Sequence, residues 1–311
     1  METRSIGSLE VSLVGLGCNN FGGRIDADAT QGVVDAAIDA GITLFDTADI
    51  YGVDGASERL LGQALGSRRD QVVVATKFGM ELDDERRGAH PDYVRSACEA
   101  SLRRLGTDHI DLYQLHQPDP DVPIAETLGA LDELVRAGEI RELGHSNLSA
   151  EQMDDAEVAA RSAGRPRFVC AQDHWSLLER GLEDGALPAI ERHGLALLPY
   201  FPLASGLLTG KYRPDTEPDP TWRLATLPAE RRGRHLAQER LETVARLEAF
   251  ATQHGHTLLE LAFSWLAAHA PVASVIAGAT RPEQVRANAA APSWQLSADD
   301  LAEVDRLTGR G

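Results

Sequence analysis

A tyrosine, a lysine, an aspartate and a histidine stand at the ends of three consecutive strand-like runs. Asp46 and Tyr51 lie in TLFDTADIYG, Lys77 in VVVATKFG and His116 in IDLYQLHQPD. A phenol with a reference pKa of about 10 is a poor acid near neutrality, but a nearby ammonium favours the phenolate and lowers that pKa. Lys77 could supply the ammonium and Asp46 could hold it in place. Such a set suits protonation of a carbonyl oxygen while a hydride reaches its carbon. His116 has two candidate tasks: orienting the carbonyl by a hydrogen bond, or sharing the proton with Tyr51. Any one of these side chains alone is more often a hydrogen-bonded structural residue; the combination is what points to chemistry. Lys77 is expected to act through its charge rather than as a covalent amine.

The elements that must position these residues are read from periodicity. A short N-terminal β-hairpin, 3–6 against 9–11, turns at Gly7-Ser8. Eight strand-then-helix repeats follow, with strand cores expected at 13–15, 44–46, 72–76, 110–115, 140–144, 168–172, 196–200 and 274–277. Eight parallel strands imply an α/β fold of the (β/α)8 TIM-barrel type, one domain over 1–311, with the polar strand ends gathered at the C-terminal mouth. The helices carry start and stop chemistry. Pro91 opens one that runs through Val94, Ala97, Cys98, Leu102 and Leu105 to Gly106; a similar helix runs from Pro123 to Gly138. Ser149 with Gln152 reads as a capping box. Between the seventh and eighth strands, residues 205–238 hold Pro214, Pro218, Pro220 and Pro228 among many charges. This long loop is either a ligand clamp or a disordered insertion, being too polar for core.

The 311 residues, 43% hydrophobic, can bury a substantial core. A net charge of −18 opposes binding to nucleic acid, although a local basic cluster can still hold a phosphate. Cys18, Cys98 and Cys170 are odd in number and lack CxxC spacing, which suggests unpaired thiols in a reducing cytoplasm. The N-terminal stretch METRSIGSLEVSL has no signal-peptide pattern, and no segment offers about 18 consecutive apolar residues, so no membrane association or export is expected. The ten histidines show no HxH or HExxH spacing, and no metal site is expected.

In strand-by-strand order, the motifs GLGCNNFGG, DTADIYG, ATKFG, QLHQPD, GHSN, AQDHWSLLER, PYFPLASGLLTGKY and IAGATRPEQVRAN resemble the aldo-keto reductases across essentially the whole chain. The resemblance implies a barrel that binds NADP(H) without a Rossmann domain and reduces a small-molecule aldehyde or ketone. The third glycine of GxGxxG is indeed missing, position 20 being Asn20. It implies Tyr51 as general acid, Lys77 and Asp46 as the pair that lowers its pKa, and His116 as the carbonyl-orienting residue. Ser146, Asn147 and Gln172 would hold the nicotinamide carboxamide, with Asp46 also at this end of the cofactor, and Tyr200 would stack on the ring. Leu203, Gly206 and Lys211 would wrap the pyrophosphate, while Gly278, Thr280, Gln284 and Asn288 would hold the adenosine end. Thr280 and the amides opening the following helix suit a 2′-phosphate, with Arg281 and Arg286 adding positive charge. The chain departs from the family's usual pattern at His145, Phe201 and Ala287, and its Trp175 is expected to pack in the core.

Other readings use the same residues. The same site run backwards would be an alcohol or aldose dehydrogenase, and the residues do not fix the favoured direction. The barrel could be a low-turnover NADP(H)-binding regulator, although the intact set of four favours an enzyme. An unrelated barrel lyase or isomerase would need a phosphate or metal site of its own.

Overall fold

The computed structural model describes residues 1–213 and 216–310. Strands β1 (Thr3–Ile6) and β2 (Leu9–Ser12) pair antiparallel as a hairpin. The next eight are β3 (Val14–Gly17), β4 (Leu44–Asp46), β5 (Val73–Phe78), β6 (Ile110–Leu115), β7 (Ile140–Ser146), β8 (Cys170–His174), β9 (Ala196–Tyr200) and β10 (Val275–Gly278). They pair in parallel and in sequence order, and β10 closes the ring between β9 and β3. With helices around it, this is the α/β TIM barrel that the alternation predicts.

Two apolar layers hold it together. Inside the barrel Leu44, Ala75, Leu112, Cys170, Leu198 and Ile276 pack with Ile6, Leu9 and Val11 of the hairpin. Burying each of those three hairpin side chains contributes about 1.5–3 kcal/mol, which fixes the hairpin as a plug. A larger cluster fills the space between strands and helices, and Trp175 lies fully buried in it, edge-on to Trp265. The expected caps are present. Pro91 opens the helix Pro91–Leu105, Gly106 ends it at φ 66°, Gly138 ends Ile124–Ala137 at φ 78°, and Ser149 with Gln152 forms a reciprocal capping box. Cys18, Cys98 and Cys170 are free and buried. Among the described residues no helix is long and apolar enough to cross a membrane.

Four strands, β3, β5, β7 and β8, run two residues further toward the mouth than their apolar patterns predict. Gly17 pairs with both Asp46 and Gly278, and Asp173 and His174 pair with Pro199 and Tyr200. Glycine and polar residues are poor local strand signals, but the neighbouring strands still supply their backbone partners. The described residues of 205–238 are folded, largely as helical turns at Ala204–Thr209, Arg223–Thr226 and Ala229–His235. Tyr212 and Leu224 are buried, and the Leu224 amide donates to the Tyr212 hydroxyl. Pro214 lies outside the described residues.

Candidate active site

The polar strand ends meet on one buried ion pair. The Lys77 ammonium, wholly enclosed, donates to both Asp46 oxygens at 2.8 and 2.7 Å and to the Thr47 carbonyl at 2.8 Å. Asp46 also accepts from the side-chain amides of Gln172, at 2.8 Å, and Gln114, at 3.3 Å. Burial pulls the Lys77 pKa down, but Asp46 and Tyr51 outweigh it and hold the group above its ordinary value, fully charged. A buried charge with every proton engaged is a fixed electrostatic element.

Tyr51 sits over this pair, with the Lys77 nitrogen 5.2 Å from its ring centroid. Its turn depends on Gly52 at φ 72°, where a Cβ atom would come within 2.9 Å of the Phe21 carbonyl. Burial raises the Tyr51 pKa, Lys77 opposes, and the net shift is upward. This corrects the expectation that the Lys77–Asp46 pair lowers it overall. The ammonium does act in the expected sense, but it is outweighed by desolvation and by the Asp46 charge. The His116 ring meets Tyr51 edge-on, with centroids 5.7 Å apart. Burial and then Lys77 push its pKa down to about 3, so the imidazole is neutral, and its Nδ1 is buried without a partner.

Beside them runs a hydrogen-bonded polar wall. Ser146 Oγ donates to the Gln172 carbonyl at 2.6 Å, and Asn147 Nδ2 donates to Ser146 Oγ at 2.8 Å and to the His116 carbonyl at 3.0 Å. The Tyr200 hydroxyl donates to Asn147 Oδ1 at 2.9 Å, while its ring stacks on His174 at 5.2 Å. A cavity of about 960 Å³ joins this wall to the end of β10. The residues that the resemblance assigns to catalysis and to the cofactor all line it except Lys77, which lies beneath.

At its far end Gly278 provides close approach, since a Cβ there would lie 3.0 Å from Asn20 Nδ2. Gln284 Oε1 accepts from the Thr280 amide and hydroxyl, closing the turn before the helix Pro282–Ala290. Asn288 is buried on the cavity side rather than facing solvent. Gly206, at φ 98°, permits the tight turn of the 201–206 segment, in which Phe201, Ala204 and Ser205 also take left-handed φ. Lys211, Arg24, Arg223 and Arg281 converge on this stretch of cavity, and Arg286 does not line it. None of these four cations is ion-paired among the described residues. Burial, Arg24 and Arg281 hold the Lys211 pKa below its ordinary value, as burial and Arg24 do for Arg223.

Sequence reading missed Gln114, Arg24 and Arg223. Gln114 had a signal: it stands two residues before His116 in a strand, hence on the same face. Arg24 and Arg223 come from irregular segments with no periodicity to place them.

His145, one residue before Ser146, is fully buried with both ring nitrogens unpartnered and its pKa pushed by burial down to about 3. Its neutral form is the folded one, whereas in the unfolded chain it titrates near 6.5. The unfolded state therefore binds more protons in between, so stability, unaffected by this group above about pH 6.5, falls by about 1.4 kcal/mol per pH unit as pH drops toward 3. His145→Leu is expected to raise stability near neutrality by about 1–3 kcal/mol and to flatten the acid limb of Tm against pH. An acid limb as steep as that of the unsubstituted chain would remove His145 as a cause.

The model of the Aldo/keto reductase family matches residues 13–308. The chain is 35% identical to aldo-keto reductase YhdN of Bacillus subtilis (strain 168), over 99% of this chain and 93% of that protein. It is 32% identical to a probable voltage-gated potassium channel subunit beta of Arabidopsis thaliana, over 93% and 90%. Among solved structures it is similar to the glycerol dehydrogenase AKR11B4 from Gluconobacter oxydans, with a TM-score of 0.84 and 33% identity over 99% of this chain and 95% of that one. Barrel, motif order and whole-length similarity agree: the chain belongs to the aldo/keto reductase family of oxidoreductases.

Proposed function

We propose that this oxidoreductase uses NADP(H) to reduce small-molecule aldehydes or ketones to alcohols, with Tyr51 as general acid. The observation that carries the reading is one cavity bounded at one end by Tyr51, His116 and the Asp46 of the buried pair, and at the other by four cations that have no ion pair among the described residues. A dinucleotide fits that distribution. Ser146, Asn147 and Gln172 would hold its carboxamide, Tyr200 its nicotinamide ring, and Leu203, Gly206 and Lys211 its pyrophosphate. Gly278, Thr280, Gln284 and Asn288 would hold the adenosine end, and Arg24, Arg223 and Arg281 add charge for the phosphates. When bound, NADP(H) supplies the hydride that the carbonyl carbon accepts.

The protein's own part is proton delivery. Raised by burial, the Tyr51 phenol is protonated near neutrality and available to the substrate oxygen. The Lys77 charge stabilises the phenolate left behind, which regains its proton from solvent. With a pKa of about 3, His116 is suited to orient the carbonyl by a neutral N–H rather than to share the proton. Three buried free thiols fit a reducing, cytoplasmic setting.

Trp222 lines the cavity, so quenching of tryptophan fluorescence can report binding. At matched ionic strength NADPH is expected to bind roughly tenfold or more tightly than NADH, the scale of one charge-assisted contact to a 2′-phosphate. Equal affinity would remove the phosphate site at Thr280 and Arg281. A turnover screen over aldehydes, ketones, sugars and dicarbonyls then identifies the substrate. The similarity to the glycerol dehydrogenase favours a second reading, in which the same site oxidises an alcohol with the Tyr51 phenolate as base. Faster turnover of polyols with NADP⁺ than of carbonyls with NADPH would select it.

A further inference from the structure

Asn147 holds together the wall described above, yet it is a non-glycine residue at φ 62°. That conformation is unfavourable and persists only where surrounding contacts over-determine it. In this conformation the Asn147 backbone amide donates to Asp173 Oδ1 at 3.0 Å. Asp173 follows Gln172 on β8, is 5% exposed, and its second oxygen, Oδ2, is buried without a partner. A carboxylate is an expensive acceptor in such a place, because its charge is desolvated for a single hydrogen bond.

We infer that Asp173 is a positioning residue: its carboxylate locks Asn147 in the left-handed conformation, and through Asn147 sets the geometry of Ser146 and Tyr200 and makes cofactor affinity sensitive to pH. The inference rests on the reading of Asn147 as a cofactor-holding side chain. The lever is direct. Asn147 Nδ2 reaches Ser146 Oγ and the His116 carbonyl, and its Oδ1 receives the Tyr200 hydroxyl, so rotating its backbone disturbs all three contacts together. On the adjacent strand Tyr200 pairs in register with His174, the residue after Asp173, and stacks on its ring.

The groups facing Asp173 leave its charge unbalanced. Burial raises its pKa to about 6, opposed only by the Asn147 amide. Tyr200 on β9 and Cys170 on β8 feel its negative charge, and both stay protonated because burial raises them too. His145, on β7, is neutral, and burial likewise lowers the pKa of His174. Protonation therefore converts a charge-assisted hydrogen bond into a neutral one of roughly half the strength.

The test is NADPH titration, read by tryptophan fluorescence, for the unsubstituted protein, Asp173→Asn and Asp173→Ala between about pH 5 and pH 8.5. Asp173→Asn keeps an acceptor but cannot ionise, whereas Asp173→Ala removes the acceptor. Near pH 8 the unsubstituted protein is expected to bind about three- to fivefold more tightly than Asp173→Asn and about tenfold more tightly than Asp173→Ala. The cofactor phosphate also titrates near pH 6, but its effect cancels in the ratio of the two dissociation constants. That ratio should fall toward one for Asp173→Asn as pH drops through about 6. A constant ratio across the range, or Asp173→Ala binding as tightly as the unsubstituted protein, overturns the inference. If the unsubstituted protein binds neither NADPH nor NADH, the cofactor reading itself fails and the inference falls with it.

Discussion

Replacing Tyr51 with phenylalanine is expected to preserve NADPH binding and to lower steady-state carbonyl reduction by about a hundredfold or more, the scale of lost general acid catalysis. The substitution removes one hydroxyl and keeps the ring that lies edge-on to His116 and over Lys77. The cavity and the remaining hydrogen bonds of the site therefore persist, and the loss should fall on the catalytic step. His116 is a poor substitute donor, since its imidazole is already neutral above about pH 3 and would have to give up its last N–H proton. Parallel measurements of NADPH affinity and turnover check the point. Undiminished turnover of a reactive aldehyde by Tyr51→Phe would take Tyr51 out of the mechanism.

Lys77→Met is expected to have the largest effect on stability. It strands the Asp46 carboxylate inside the barrel with only the amides of Gln172 and Gln114 for partners, and breaking a buried pair from one side costs about 3–5 kcal/mol. Removing both charges is milder, because no uncompensated ion remains. The double substitution Asp46→Asn with Lys77→Met should therefore recover a large part of the loss in urea unfolding, giving a coupling well above about 1 kcal/mol. A single Lys77→Met cost below that level would mean that water reaches Asp46 and screens it. Activity should be lost in either variant, because no cation remains to stabilise the Tyr51 phenolate.

How much of this could be read in advance differs from residue to residue. Asp46, Tyr51, Lys77 and His116 were legible together because each ends, or follows shortly after, an apolar run of strand character, and alternation with capped helices dictates which end of a parallel barrel those positions share. Gly106, Gly138 and the Ser149–Gln152 box were legible because caps are local chemistry, complete within a few residues. Strand ends were less so. The polar residues that carry β8 through Asp173 and His174 resemble loop until a neighbouring strand is there to pair with them.

The sequence alone determined the order of eight strand-helix units, the N-terminal hairpin and the set of polar side chains at the mouth, since these depend on period, composition and turn residues within short windows. Only the tertiary structure decided the electrostatics. Whether Tyr51 is raised or lowered depends on how desolvation balances against Lys77, and burial is a property of everything packed around a group. The same holds for which cations reach the cavity. Arg281 lines it while Arg286, five residues on, does not, and Arg24 and Arg223 arrive from segments with no period to aim them. Asp173 belongs here too: it is one more polar residue on a strand until the fold sets it beneath the amide of Asn147, where a bare carboxylate can hold a strained backbone in place.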